Sequence, residues 1–382
     1  MIHSIIQHLH VLRILPVLVW IVSLSLQPSI GYAFEEGQPC PTFDWEHLPT
    51  NHWIQVTTCN QPPPKVFHGA SALASDKRTV FFFGADTHEK DYDNSVYRLN
   101  LTNLRWEKDY EADSLANYRV TPQGHPVTST NRPWAMHTFD GWDYDPVHNL
   151  LILVGTPKHA TRPIQRLKDQ GTFNHPIQPT TWHYDPETHT WALIATPTPN
   201  LFAGGLVWDL KRKQFIGHDG LQTYHYTPQD QTWKTYASSS VPGYHLRLVY
   251  DTLTHSTLSL GNNTNSHELW SYTAPSRQWK KINVSHPPLP ANGAAMAYNS
   301  RHHVLVYVAN HSPTPYSNPS GKSVTFIYSH KHGWVRLPIK SPPLFGMNYL
   351  TQYDPVSDVV LHFEKTSTSH KHMTLWVLRY RP

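Results

Sequence analysis

Apolar residues along the chain gather into short runs that follow a repeated turn. Tyr144-Asp145 precedes Leu150-Leu-Ile-Leu-Val154, Trp208-Asp209 precedes Phe215-Ile216, and Tyr250-Asp251 precedes Leu258-Ser-Leu260. Tyr298-Asn299 precedes Val304-Leu-Val-Tyr-Val308, and Tyr353-Asp354 precedes Val359-Val-Leu361. The first copy has Ser75-Asp76 before Val80-Phe-Phe-Phe83. Each predicts a hairpin of two buried strands, the second often ending in glycine, as at Gly84, Gly155 and Gly261. A second pattern follows each run, an aromatic residue and then, nine positions later, tryptophan: Tyr97 to Trp106, Trp182 to Trp191, Tyr224 to Trp233 and Trp270 to Trp279. Phe326 to Trp334 is one residue shorter. In the clearest copy, Trp182-His-Tyr184 alternates as a strand does, Asp185-Pro186 opens a turn, and Trp191 starts the next strand with a ring suited to the gap between stacked sheets.

A proline precedes the first strand of each unit: Pro64, Pro133, Pro199, Pro242, Pro290 and Pro343. Proline cannot donate to a strand ladder, so it marks entry from outside the sheet. The markers together predict four strands per unit, a to d, with d opening at the tryptophan. The last unit ends at Pro382 before its d strand, while Trp53-Ile-Gln-Val56 is a d strand with no a, b or c before it. The expectation is an all-β chain of six blades, in which the N-terminal strand completes the last blade and removes the exposed sheet edges.

The segments Pro64–His68, Val80–Gly84 and Val96–Trp106 resemble a kelch repeat, and Trp182–Trp191 is similar to its c to d turn; the resemblance covers about residues 53 to 382. It implies a six-bladed kelch-type β-propeller of the galactose-oxidase-like superfamily. The double glycine of the family is missing, since the copies read Gly84-Ala85, Gly155-Thr156, Gly261-Asn262 and Ala309-Asn310. Copper radical oxidases of this superfamily need a cysteine cross-linked to a tyrosine. The two cysteines here, Cys40 and Cys59, lie outside the blades, so that activity is disfavoured. An exported six-bladed class that epimerises sialic acid matches in blade number, but none of its catalytic residues can be placed on this chain.

Composition agrees with many turns and many aromatics: of 382 residues, 33 are Pro, 14 Trp and 20 Tyr, and only 15% are charged. A net charge of +4, with no basic run interleaved with aromatics, argues against a nucleic-acid partner. Ile14 to Leu26 is an apolar run of 13 residues, and Gly31-Tyr32-Ala33 puts small residues before a cut after Ala33. Residues 1–33 therefore read as a signal peptide, with an uncleaved anchor as the alternative, since the run falls short of the roughly 20 residues of a membrane span. A short segment, 34–52, leads to the propeller, 53–382. The chain is expected to be secreted or periplasmic, without a stable membrane span after cleavage, and a monomer. In such a compartment Cys40 and Cys59, 59 − 40 = 19 positions apart, are expected to pair.

Blade spacing points to a functional face. Trp191 to Trp233 is 42 residues, whereas Trp106 to Trp191 is 85, so the second blade carries roughly 40 extra residues. They split into Glu111 to Arg132, before strand a, and Thr156 to Pro179, between strands b and c. Both connections emerge on one face of an antiparallel blade, where long irregular loops on a rigid scaffold are usually functional. Lys158, His159, Arg162, Arg166 and Lys168 make the second insertion basic, and Asp86, His88, Glu89, Asp91 and Asp93 face it from blade one. His68, His137 and His245 follow their entry prolines by three or four residues and are expected near the channel mouth. Three imidazoles suit zinc, copper or iron, but the kelch pattern commonly has a histidine at the start of strand a, so neither metal nor cofactor is expected. Trp134, Tyr244 and Tyr316 complete the candidate rim. No hydrolase elbow, zinc-protease, phosphate-loop or dinucleotide motif is present. The expected function is an exported module that binds a glycan or protein, with a sugar epimerase or mutarotase as the alternative.

Overall fold

The computed structural model describes residues 40, 42–60, 62–63, 68–173, 175–236, 241, 245–260, 268–284, 295–310, 318–369 and 371–382. The leader, Pro64, Pro242, Pro290, Gly261, Tyr244 and Tyr316 lie outside them. Six four-stranded antiparallel sheets follow one another along the chain as the blades of a β-propeller. Blade 1 comprises Ala70–Ala74, Thr79–Phe83, Tyr97–Asn100 and Arg105–Lys108. Blade 2 comprises Trp142–Asp145, Leu150–Gly155, Thr180–Asp185 and Thr190–Ile194. Blades 3, 4 and 5 start at Gly205, Leu248 and Ala295, and blade 6 holds Thr351–Asp354, Val359–Glu364 and Thr374–Leu378. The first strands touch in cyclic order, blade 1 to blade 2 and onward until blade 6 meets blade 1. Among the described residues no helix is long and apolar enough to cross a membrane.

The ring closes as the two chain ends predict. Trp53–Val56 is the outer strand of blade 6, in register Trp53↔Leu378 and Val56↔Leu375. Cys40 is disulfide-bonded to Cys59, with Cα atoms 5.5 Å apart. Cys59 in turn donates its backbone N–H to Leu104 O at 2.7 Å, so the bond ties the closing strand to blade 1.

The repeated acidic turn has a specific chemistry. Asp145, Asp209, Asp251, Asn299 and Asp354 each accept, through Oδ1, the backbone N–H two residues on, at 2.8 to 3.1 Å. The side chain thus replaces a ladder partner and bends the chain. Four residues after each acceptor the backbone is left-handed: Asn149, Lys213, His255, His303 and Asp358 have φ between +53° and +55°. The same step recurs in the c to d turns at Leu104, His189, Gln231 and Arg277.

The d-strand tryptophans join neighbouring blades. Trp106, Trp191, Trp279 and Trp334 are buried, whereas Trp53 and Trp233 are only half-buried. Their indole N–H groups reach back one blade. Trp53 donates to Thr325 Oγ1 at 2.9 Å, Trp233 to Thr181 Oγ1 at 2.9 Å, and Trp279 to Thr223 Oγ1 at 2.8 Å. Each acceptor stands three residues before the tyrosine that faces the d-strand tryptophan of its own blade: Tyr184 facing Trp191, Tyr226 facing Trp233 and Tyr328 facing Trp334. Blade 4 has Leu269 at that place, three before Tyr272, and the Trp334 indole nitrogen is buried without a hydrogen-bond partner among the described residues. Where blade 1 offers Val96, Trp191 instead donates to Tyr110 O–H at 2.7 Å.

The two insertions are not irregular loops. The first folds into a hairpin, Tyr118–Val120 with Pro126–Thr128, and the second contains a helix, Thr161–Asp169. Pro163, Ile164 and Leu167 turn the helix's apolar side inward, while Arg162, Gln165 and Lys168 stay exposed. Together with the b to c loop of blade 1 they share a small core of Ala85, Tyr92, Tyr118, Trp134, Ala160 and Leu167. Asp113 and Asn94 lock it: Asp113 accepts from Asn94 Nδ2 at 3.1 Å, Thr128 Oγ1 at 3.2 Å and Thr130 Oγ1 at 2.7 Å.

Candidate functional site

The entries into the first strands build the site. His68, Phe139, Ala203 and His245 all have left-handed backbones, φ +59°, +48°, +59° and +66°, so each entry turns sharply before its strand. Gly84 makes the close approach possible: a Cβ there would stand 2.5 Å from Thr138 Oγ1 and 2.7 Å from Gly69 Cα. The turns aim side chains at the propeller axis, and Phe139 occupies it. Its ring lies 5.6 Å from His68, 5.5 Å from His137, 5.0 Å from Phe202, 4.9 Å from His245 and 5.9 Å from Tyr349, which come from the entries of five blades. Phe139 is only 2% exposed and packs with Ala203, Met347 and Tyr349 as a plug.

Below the plug runs a polar channel with a cavity of about 140 Å³, to which every blade contributes, through Ser71, Asp143, Val207, Val249, Ala297 and Gln352 among others. Its upper end is an ion pair of two buried side chains, Asp140 and Arg247. Arg247 also donates to Tyr349 O at 3.0 Å and Thr351 O at 2.7 Å, and Asp140 accepts the Leu248 N–H at 2.7 Å. Burial pushes the Asp140 carboxyl up to about 7 against the pull of Arg247. Burial likewise raises Asp143 to about 6, although the Tyr144 and Trp208 N–H groups oppose it.

Above the plug, four histidines and one aspartate meet. His68 and His137 stack with ring centres 4.2 Å apart. His88 lies 4.7 Å from His137 and 4.3 Å from His159, and His159 lies 5.0 Å from His137. Asp86 Oδ1 faces His68 Nδ1 at 3.5 Å and His137 Nε2 at 3.6 Å. Two overlapping groups have all their ligand atoms within 4.8 Å of one another, His88 with His137 and His159, and His68 with Asp86 and His137. His137 is buried, His159 half-buried and His88 exposed, so the cluster opens to solvent on one side. Burial lowers His137 to about 4 and also lowers His159, which leaves both rings neutral at pH 7 and able to act as ligands. Burial would raise Asp86, but the imidazoles of His137 and His68 outweigh it and hold the carboxyl well below the usual range.

The sequence-derived candidates separate on this geometry. His68, His137 and His159 are brought together, and His245 packs on the plug, its pKa lowered by burial to about 3, outside both ligand groups among the described residues. Lys158 is exposed beside the cluster, its Nζ 4.4 Å above the Phe202 ring. Trp134 is not a rim residue: it is fully buried, and its indole N–H donates to Val127 O at 3.1 Å. Arg166 braces the insertions, donating to Tyr118 O at 2.5 Å and Gln170 Oε1 at 2.9 Å. Arg162 projects from the exposed side of the helix. The fold places the chain among six-bladed β-propellers. No family model matches it, and no curated protein does.

Proposed function

We propose that the chain is an exported, monomeric binding module of the kelch type that recognises a glycan or a protein ligand with the face above blades 1 and 2. One observation carries this reading. About 40 residues beyond what a blade needs are folded into a hairpin and a helix that share a core with the blade 1 loop, next to the histidine cluster and Lys158. A ring that served only as a scaffold gains nothing from such a shelf. Export is supported by the leader-like residues 1–33 and by the disulfide.

A sugar-transforming enzyme is the second reading, favoured by the buried Asp140 with its raised carboxyl beside Arg247. Asp140 is nevertheless engaged by Arg247 and the Leu248 N–H, and Phe139 stands between it and the open face. The deciding experiment screens the purified chain on a glycan array and, in parallel, for turnover of free sugars. Saturable binding that weakens in Lys158→Glu without turnover supports the binding module; turnover of a free sugar overturns it.

A further inference from the structure

We propose that His88, His137 and His159 form a binding site for a divalent transition metal of the zinc class, with Asp86 as the carboxylate that orients His137. Three imidazoles from three separate connections, the b to c loop of blade 1, the entry to blade 2 and the b to c loop of blade 2, bring one ligand atom each to within 4.8 Å of the others. An ion that binds nitrogen at about 2.0 to 2.1 Å draws such atoms together with small side-chain rotations. Zinc, copper, nickel and iron all favour imidazole.

Two features go beyond a chance meeting of histidines. A ligating imidazole ordinarily has its other ring nitrogen held by a carboxylate, and Asp86 Oδ1 stands 3.6 Å from His137 Nε2. That nitrogen is buried and has no hydrogen-bond partner among the described residues, which leaves Asp86 as the group placed to hold it. The site also has a wall and a mouth: Phe139 and the stacked His68 close its inner side, and exposed His88 opens its outer side. Three protein ligands leave a coordination position open, as in zinc sites that bind water or substrate. That position can take water or an oxygen of a carboxylate or hydroxyl ligand arriving beside Lys158. The inference stands independently of the binding reading, since it concerns the ion alone.

The test uses the full chain, stripped with a chelator and titrated with Zn²⁺ by calorimetry and with Co²⁺ by visible absorption. The expected result is one ion per chain at the tight site, with a cobalt spectrum of low coordination number. His88→Ala and His159→Ala, both on the open side, should fold as the parent does and abolish tight binding, while Asp86→Asn should weaken it by about 10- to 100-fold. His175→Ala, an exposed histidine outside the cluster, should change nothing. Absence of tight binding in the parent chain overturns the site, and so does unchanged affinity in the His88→Ala/His159→Ala double variant.

Discussion

The indole-to-threonine contact between blades makes a quantitative prediction. Trp279 is 5% exposed and Thr223 fully buried, and the indole N–H meets Thr223 Oγ1 at 2.8 Å. Thr223→Val keeps the shape of the side chain but leaves the indole N–H buried without an acceptor, which costs about 1 to 3 kcal/mol. His218 Nδ1, 3.1 Å from the same oxygen, loses its partner too, so the upper half of that range is expected. Trp279→Phe removes the donor while the Thr223 hydroxyl keeps His218; its cost comes from lost ring volume. The double variant no longer strands the indole, so its cost should fall short of the sum by about 1 kcal/mol. Urea unfolding followed by far-ultraviolet circular dichroism, with unchanged slopes across the four proteins, measures that coupling. The Trp334 indole already lacks a partner, because Leu269 replaces the threonine, so Trp334→Phe should cost less than Trp279→Phe. Additivity within about 0.3 kcal/mol would refute the view that these contacts hold adjacent blades together.

Other variants test separate parts of the structure. Trp191→Ala empties a pocket walled by Phe83, Trp142 and Tyr184 and should cost about 3 to 5 kcal/mol in the same assay; a loss below about 1 kcal/mol would put the ring on the surface. His225 is 6% exposed, bonded to Tyr272 O–H at 2.7 Å and lowered by burial from 6.5 to about 4. The unfolded chain therefore takes up a proton between pH 6.5 and 4 that the fold refuses, and stability is lost as pH falls through that window. His225→Gln should remove about 2 to 3 kcal/mol of the stability difference between pH 7 and 4.5, whereas an unaltered pH profile would mean that this imidazole is protonated in the fold. Breaking the Cys40–Cys59 bond with Cys40→Ser/Cys59→Ser should lower stability by about 3 kcal/mol, and a reductant should then have no further effect on that variant.

The repeat was legible because its markers are local. A polar side chain that caps a turn, and a tryptophan about nine residues after an aromatic, report on neighbours a few positions away, and five copies of each average out the exceptions. Blade closure was legible for the same reason, since Trp53 carries the d-strand signature without the strands before it. The site was only half legible. His68 and His137 both follow an entry proline by four residues, so their approach could be read from spacing, although in blade 2 the left-handed place of His68 belongs to Phe139. His159 meets them because the second insertion folds as a helix against the hairpin of the first, and neither insertion repeats. Trp134 shows the converse: after an entry proline it reads as rim, but the hairpin lies over it and turns it into core. The charges of Arg162 and Arg166 were equally readable, yet only the fold separates an outward cation from one that braces a carbonyl.

The pairing of Trp53 with Leu378 also bears on how the chain is made. The partners are 378 − 53 = 325 positions apart, so the first strand of the ring to leave the ribosome waits, unpaired, until Thr374–Leu378 has been made. During that interval it is an exposed edge with a tryptophan on it, the kind of segment that invites pairing with another chain. A product terminated before Thr374 keeps all the strands of five blades and still cannot seal, because the strand that receives Trp53–Val56 is missing. Sealing of the ring therefore depends on the single strand Thr374–Leu378 far more than its share of the core suggests.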